Sequence, residues 1–130
     1  MKPTLCLLDT SFLIDLEDEV IAGKVGPATR TLAGLGKARL YVSPVTVAEI
    51  IEGAEDPLAA ERALFGYRHI TIGWAAARRC AVLQHSNARR MGENDAWQAA
   101  LASAGAMTLI GHGSSFAGRT GFVYLDHRAA

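Results

Sequence analysis

The run Leu5-Cys6-Leu7-Leu8, closed at once by Asp9-Thr10-Ser11, constrains the fold more than any other segment. Four consecutive apolar residues with no polar alternation do not suit a sheet with one wet face, so they read as a strand buried on both sides. The chain then enters a helix that begins near Ser11 and carries Phe12, Leu13 and Leu16. A doubly buried strand feeding a helix is the opening unit of an α/β fold. The pattern recurs downstream. Leu40-Tyr41-Val42 reads as a short strand, and Ser43-Pro44 starts a helix running to about Gly53, with serine as cap and proline where no amide hydrogen is missed. A helix is expected over Pro57–Phe65, a strand over His69–Ile72, and a long helix from Trp74 to about Met91, which Gly92 ends. Asn94 is the expected cap of a helix over Ala96–Ala104, followed by a strand over Met107–Ile110, the loop Gly111-His112-Gly113-Ser114-Ser115 and a last strand over Phe122–Leu125.

Strands alternating with helices imply a parallel sheet covered on both faces, with functional groups gathering at the carboxyl ends of the strands. At 130 residues, half of them hydrophobic and with no repeat or linker-like tract, residues 1–130 are expected to form one domain. No apolar run approaches the length of about 20 residues that spans a bilayer. The first apolar segment is also too short for a signal-peptide core, so a cytoplasmic location without a membrane is expected. Cys6 and Cys80 sit among aliphatic neighbours and read as small buried hydrophobes in a reducing compartment. Thirteen basic residues balance thirteen acidic ones, which argues against a chain that coats nucleic acid through a global positive field. An enzyme with a local basic patch and a bound cation is compatible with that balance, because the cation carries its own charge.

Three acids occupy telling places: Asp9 just past the first strand, Glu49 inside the helix after the second, and Asp95 in the first turn of a later helix. Each also has a structural reading. Asp9 suits a helix cap, and Asp95 suits the positive end of a helix dipole. Glu49 lies in a helix rich in valine and isoleucine, where a carboxylate needs a partner, a cation or a raised pKa.

Three blocks carry a family resemblance. Leu7-Leu8-Asp9-Thr10-Ser11-Phe12-Leu13-Ile14-Asp15 resembles the N-terminal signature of PIN domains, a hydrophobic strand delivering an Asp followed by a small hydroxyl residue. The stretch from Val42 through Glu49 to Gly53 resembles the block whose Glu is the second metal-site acid, and Gly92-Glu93-Asn94-Asp95-Ala96-Trp97 resembles the third, where Asn-Asp opens a helix. The likeness, which extends to toxins of the VapC type, spans nearly the whole chain in the right order. It implies a PIN-like three-layer sandwich: a central, mostly parallel sheet of four to five short strands with helices on both faces. It also implies a catalytic site in which Asp9, Glu49 and Asp95 bind Mg2+ or Mn2+ and an RNA phosphodiester is cleaved by metal-activated water. The implied partners are the RNA substrate, a cognate antitoxin whose apolar helix and extended tail cover the cleft, and a second copy in a homodimer.

Ser11 is placed to hold metal-site waters or orient the first carboxylate, and equally to serve a helix start. Asn94 flanks the third acid. Many PIN domains carry a fourth acid after the next strand, whereas Gly111-His112-Gly113-Ser114-Ser115-Phe116 contains no carboxylate. Ser115 and His112 are the candidates for supporting roles there. Arg78, Arg79, Arg89 and Arg90 give the long helix a basic character, and Arg78, Arg89 and Arg119 are candidate RNA contacts, although arginine pairs also recur on solvated faces. Trp74, Trp97, Phe65 and Tyr67 are either core or partner contacts. A haloacid-dehalogenase-type phosphatase is disfavoured, since Ser11 stands where its second Asp belongs. A receiver domain is disfavoured because Lys37 is the last lysine. The main rival is a catalytically degenerate PIN-fold module that binds RNA or a protein.

Overall fold

Strand β1 (Leu5–Leu8) lies at the centre of the sheet, as a segment apolar on both faces requires. A computed structural model describes residues 3–129. After β1 come α1 (Thr10–Ala22), α2 (Pro27–Gly34), β2 (Arg39–Val42), α3 (Pro44–Gly53), α4 (Pro57–Leu64), β3 (Arg68–His69), α5 (Trp74–Ser86), α6 (Glu93–Ala104), β4 (Thr108–Gly111) and β5 (Val123–Asp126). The sheet order is β3-β2-β1-β4-β5, with every pair parallel, so the expected α/β sandwich is the one observed.

Alternation along β1 divides the interior in two. Cys6 and Leu8 face a core made with Phe12, Leu13, Ala28, Val42, Leu64 and Ile110, under the helices α1 to α4. Leu7 faces the other core, with Leu109, Phe116 and the buried residues of α5 and α6. Both cysteines are buried and unpaired, consistent with their reading as apolar fillers. No helix of the described residues is long and apolar enough to cross a membrane. Since β1 is followed by β2 on one side and neighboured by β4 on the other, strand order reverses beside it. Such a reversal opens a crevice at the carboxyl ends of the strands.

Several element boundaries differ from the sequence expectation, most of all at α5, α6 and β3, and helix α2 had no expected bounds. Helix α5 stops at Ser86, not near Met91. Asn87 caps it, its side-chain amide donating to the Leu83 carbonyl at 2.7 Å, and Gln84 folds the following segment back by bonding both the amide and the carbonyl of Met91 at 2.9 Å. Arg89 and Arg90 therefore belong to a loop. Helix α6 begins at Glu93 with Gly92 as its N-cap, so Asn94 is an exposed first-turn residue and not the cap. Strand β3 comprises Arg68–His69 instead of His69–Ile72, because it pairs only with the end of β2 at the sheet edge. Trp74 and Phe65 are exposed, while Trp97 and Tyr67 are half-buried against the core.

Candidate active site

The site begins where β1 ends. Asp9 donates its backbone amide to the Ile110 carbonyl at 2.8 Å, which locks the end of β1 to β4, and its side chain turns into the crevice. One carboxylate oxygen, Oδ2, accepts from the Ser11 amide at 3.1 Å and the Ser11 hydroxyl at 2.6 Å. Asp9 is thus the N-cap of α1, as its structural reading proposed. The other oxygen, Oδ1, is 3.1 Å from the Gln98 side-chain amide. Capping and site membership are therefore compatible, because they use different oxygens. Ser11 also accepts the His112 amide at 3.0 Å, tying the glycine-rich loop to the same carboxylate. Gly111 permits this approach: a Cβ there would lie 2.8 Å from both Asp9 Cβ and Ser11 Oγ.

Glu49 reaches the crevice from α3, which Ser43 caps by accepting the Thr46 amide at 3.2 Å. Its Oε1 accepts the Thr10 hydroxyl at 2.8 Å. A largely buried chain of hydrogen bonds connects this contact to Asp9 through Gln98, three residues beyond Asp95 on α6. Gln98 accepts the Ser43 hydroxyl at 2.5 Å and places its amide nitrogen 2.6 Å from Thr46 Oγ1 as well as 3.1 Å from Asp9. The Thr10 and Thr46 hydroxyls are 3.1 Å apart. Since the one Thr10 proton goes to Glu49, Thr46 is the donor in that pair. Sequence reading missed Gln98, Thr46 and Thr10. The available signal was a glutamine at i+3 from Asp95, on a helix whose neighbouring residues are nearly all alanine.

Asp95 completes the set. Burial pushes its carboxyl up from the usual range, the Ser115 hydroxyl draws it back, the charges of Asp9 and Glu49 push it up further, and Arg119 opposes them. Asp95 lies three residues before Gln98 on α6, and Gln98 bonds Asp9, so the three acids come from three elements around one hydrogen-bonded network. The other candidates lie apart. Asn94 is exposed, and Arg78 projects into solvent from α5. Arg89 is exposed in the loop after α5, where its carbonyl accepts from Arg119. The His112 ring turns toward Asp15, with Nε2 at 3.5 Å. Asp15 is held by Arg128 through two contacts of 2.8 Å and by the fully buried His127 at 2.8 Å. That cluster fastens the end of the described chain to α1.

Among the described residues, no three His, Cys, Asp or Glu side chains already converge as a coordination shell. The donor set nevertheless suits a hard divalent cation in kind. Three carboxylates offer only oxygen ligands, and the mutual repulsion acting on Asp95 is what a cation relieves.

Fold and site together define a parallel α/β domain with Asp9 and Glu49 linked by a hydrogen-bonded network at the carboxyl ends of its strands. The PIN domain family model matches residues 6–118, and the chain belongs to the PIN domain family. Among solved structures, it is similar to a chain of the DNA-bound VapBC from Salmonella typhimurium, with 20% identity, a TM-score of 0.75 and coverage of 95% of this chain and 98% of that one. A chain of a toxin–antitoxin complex from Klebsiella pneumoniae is 25% identical, with a TM-score of 0.75 and coverage of 94% and 97%. A chain of FitAcB from Neisseria gonorrhoeae is 16% identical, with a TM-score of 0.70 and coverage of 94% and 97%. No curated protein matches the chain.

Proposed function

We propose that this protein is a divalent-metal-dependent endoribonuclease and the toxin of a type II toxin–antitoxin pair. One observation carries the reading: in a PIN-family chain, Asp9 and Glu49 are joined through Gln98, Thr46 and Thr10, and Asp95 lies three residues before Gln98 on α6. These three carboxylates would hold Mg2+ or Mn2+. When bound, the ion supplies a Lewis acid for the phosphate and lowers the pKa of the attacking water. The protein's own contribution is to hold the acids before substrate arrives. Ser11 and Gln98 fix the two oxygens of Asp9, and Thr10 fixes Glu49, so little reorganisation remains for the reaction step. No nucleophilic side chain is required.

The toxin assignment rests on the VapBC and FitAB complexes that the fold resembles, and it brings an antitoxin as partner and a homodimer as assembly. The rival reading, a PIN module without catalysis, draws on the absence of a carboxylate from 111–116 and of a closed coordination shell among the described residues. One assay separates them. Partner-free protein is incubated with total RNA in manganese, magnesium or EDTA, beside Asp9→Asn and Glu49→Gln. The nuclease reading expects metal-dependent cleavage that each substitution reduces by at least about a hundredfold, the scale of losing a stabilising contact at the reacting phosphate. A folded wild type inert in both cations supports the non-catalytic module.

A further inference from the structure

The end of the sheet's edge strand is fastened to the helix that Asp9 caps. Strand β5 pairs with β4 alone. Beyond it the chain is held from α1: Asp15 accepts from Arg128 Nε and Nη2 at 2.8 Å each, and His127 Nε2 lies 2.8 Å from the same carboxylate. The arginine hydrogen bonds, and then His127, keep Asp15 ionised with a pKa of about 2, so the carboxylate only accepts and the histidine nitrogen is the donor. His127 Nδ1 is then an acceptor, and among the described residues it has no partner although the side chain is fully buried. An apolar residue would fill that space without an unpaired nitrogen, so packing alone does not account for a histidine here.

The contact continues toward Asp9 through one peptide group. The His127 amide donates to the Gly111 carbonyl at 3.1 Å, and the His112 amide donates to Ser11 Oγ at 3.0 Å. That carbonyl and that amide belong to the same planar peptide unit, so displacing one displaces the other. Ser11 Oγ in turn donates to Asp9 Oδ2 at 2.6 Å. Ser11 and Asp15 stand four residues apart on one face of α1 and grip the two ends of this peptide, Ser11 directly and Asp15 through His127. The peptide lies close against the carboxylate, since a Cβ on Gly111 would come within 2.8 Å of Asp9 Cβ. We propose that Asp15 is a positioning residue for the metal site: with His127 and Arg128 it sets the 111–112 peptide and, through Ser11, the aim of the Asp9 carboxylate. The proposal rests on the reading of Asp9 as a metal ligand, and it extends the site's support to residues 126–128.

Mn2+ is titrated calorimetrically into wild type, Asp15→Ala, Ser11→Ala, the double variant and Glu19→Gln, each first shown to be folded by its denaturant transition. Glu19 caps α2 from the far end of α1, so Glu19→Gln is the control for lost stability alone. Affinity should fall about tenfold in Asp15→Ala, the lower end of the loss for a partner behind a metal ligand, and stay unchanged in Glu19→Gln. With the Ser11 hydroxyl already gone, removing Asp15 should cost little more. Hydrogen exchange at the His112 amide, read without metal, should quicken about tenfold or more in Asp15→Ala. Should Asp15→Ala not fold, Arg128→Ala, at a more exposed side chain, takes its place with effects of the same sign and smaller size. Equal Mn2+ affinity in wild type and Asp15→Ala, or an equal loss in Glu19→Gln, overturns the proposal and leaves the cluster a structural fastening. An unchanged His112 exchange rate, or losses that simply add in the double variant, overturns it as well. In each of those cases a wild type that binds Mn2+ leaves the reading of the acids standing. A wild type that binds no Mn2+ removes both together.

Discussion

Gln98 is buried, and both of its side-chain polar atoms are engaged: its oxygen by Ser43, its nitrogen by Asp9 and Thr46. Gln98→Leu keeps roughly the same shape but leaves those three groups without their partner in a dry interior. A loss of about 1–3 kcal/mol is expected, measurable by denaturant unfolding. Because the amide also aims Asp9 and, through Thr46 and Thr10, steadies Glu49, Mn2+ affinity should fall roughly 10- to 100-fold in the folded variant. A purely structural glutamine would lower stability and leave Mn2+ affinity unchanged. The acids proposed as ligands stand out in the sequence because charge is conspicuous: Asp9 ends an aliphatic strand, Glu49 interrupts an apolar helix and Asp95 opens another. The neutral residues that orient them do not. Glutamine and threonine pass as ordinary helix surface until tertiary structure buries them, and the reasoning applied to Glu49 in its apolar helix applied equally to Gln98 among alanines.

Between elements, two carboxylates do the joining. Glu19 near the end of α1 accepts the amides of Gly26, Ala28 and Thr29 at 2.8–3.0 Å, and so caps α2, whose own N-cap is a glycine with no side chain to offer. Burial opposes its charge, but the Thr29 side chain and these three amides prevail and hold it at about 2, against an ordinary 4.5. Asp15 is likewise held at about 2, against 3.8, first by the Arg128 hydrogen bonds and then by His127, with burial opposing. Both folded values lie below the unfolded ones, so both contributions are complete above the unfolded pKa and are lost as pH falls through the folded one. Wild type should therefore lose stability steeply between pH 4.5 and 2. The double variant Asp15→Asn, Glu19→Gln should start lower near neutrality and decline less over that window, as followed by denaturant midpoints. Parallel curves would show that neither contact contributes. Neither joint could be read from sequence, where Glu19 and Asp15 are acids on the amphipathic helix α1. Element types were legible because aliphatic runs and Ser-Pro starts are local signals. The ends of α5 and α6 depended on Gln84 folding back onto Met91, a contact that no local pattern announces.

Across the whole molecule, thirteen basic and thirteen acidic residues cancel, yet the charges of Asp9 and Glu49 both push the Asp95 carboxyl up. A domain that gathers like charges stores a cost in its metal-free state. The sign follows from Asp95: its folded pKa is raised, chiefly by burial and then by Asp9 and Glu49 against the pull of Ser115 and Arg119. At neutral pH the ionised group therefore weighs against the folded state, and protonation at low pH removes the penalty. Asp95→Asn removes it at every pH. The metal-free variant is accordingly expected to melt a few degrees above wild type while losing RNA cleavage, the pattern of a site whose function opposes stability. Manganese should reverse the ranking. At about 100 times its Kd an ion that binds only the folded chain stabilises it by about 2.7 kcal/mol. For a domain of this length that is a rise in Tm of roughly 10 °C for wild type. Asp95→Asn, short of one ligand, should show much less. Scanning calorimetry of both proteins in EDTA and in manganese gives the four melting points. An Asp95→Asn that melts below wild type in EDTA would mean that the carboxylate is held mainly by the helix end, and equal manganese shifts would remove Asp95 from the ligand set.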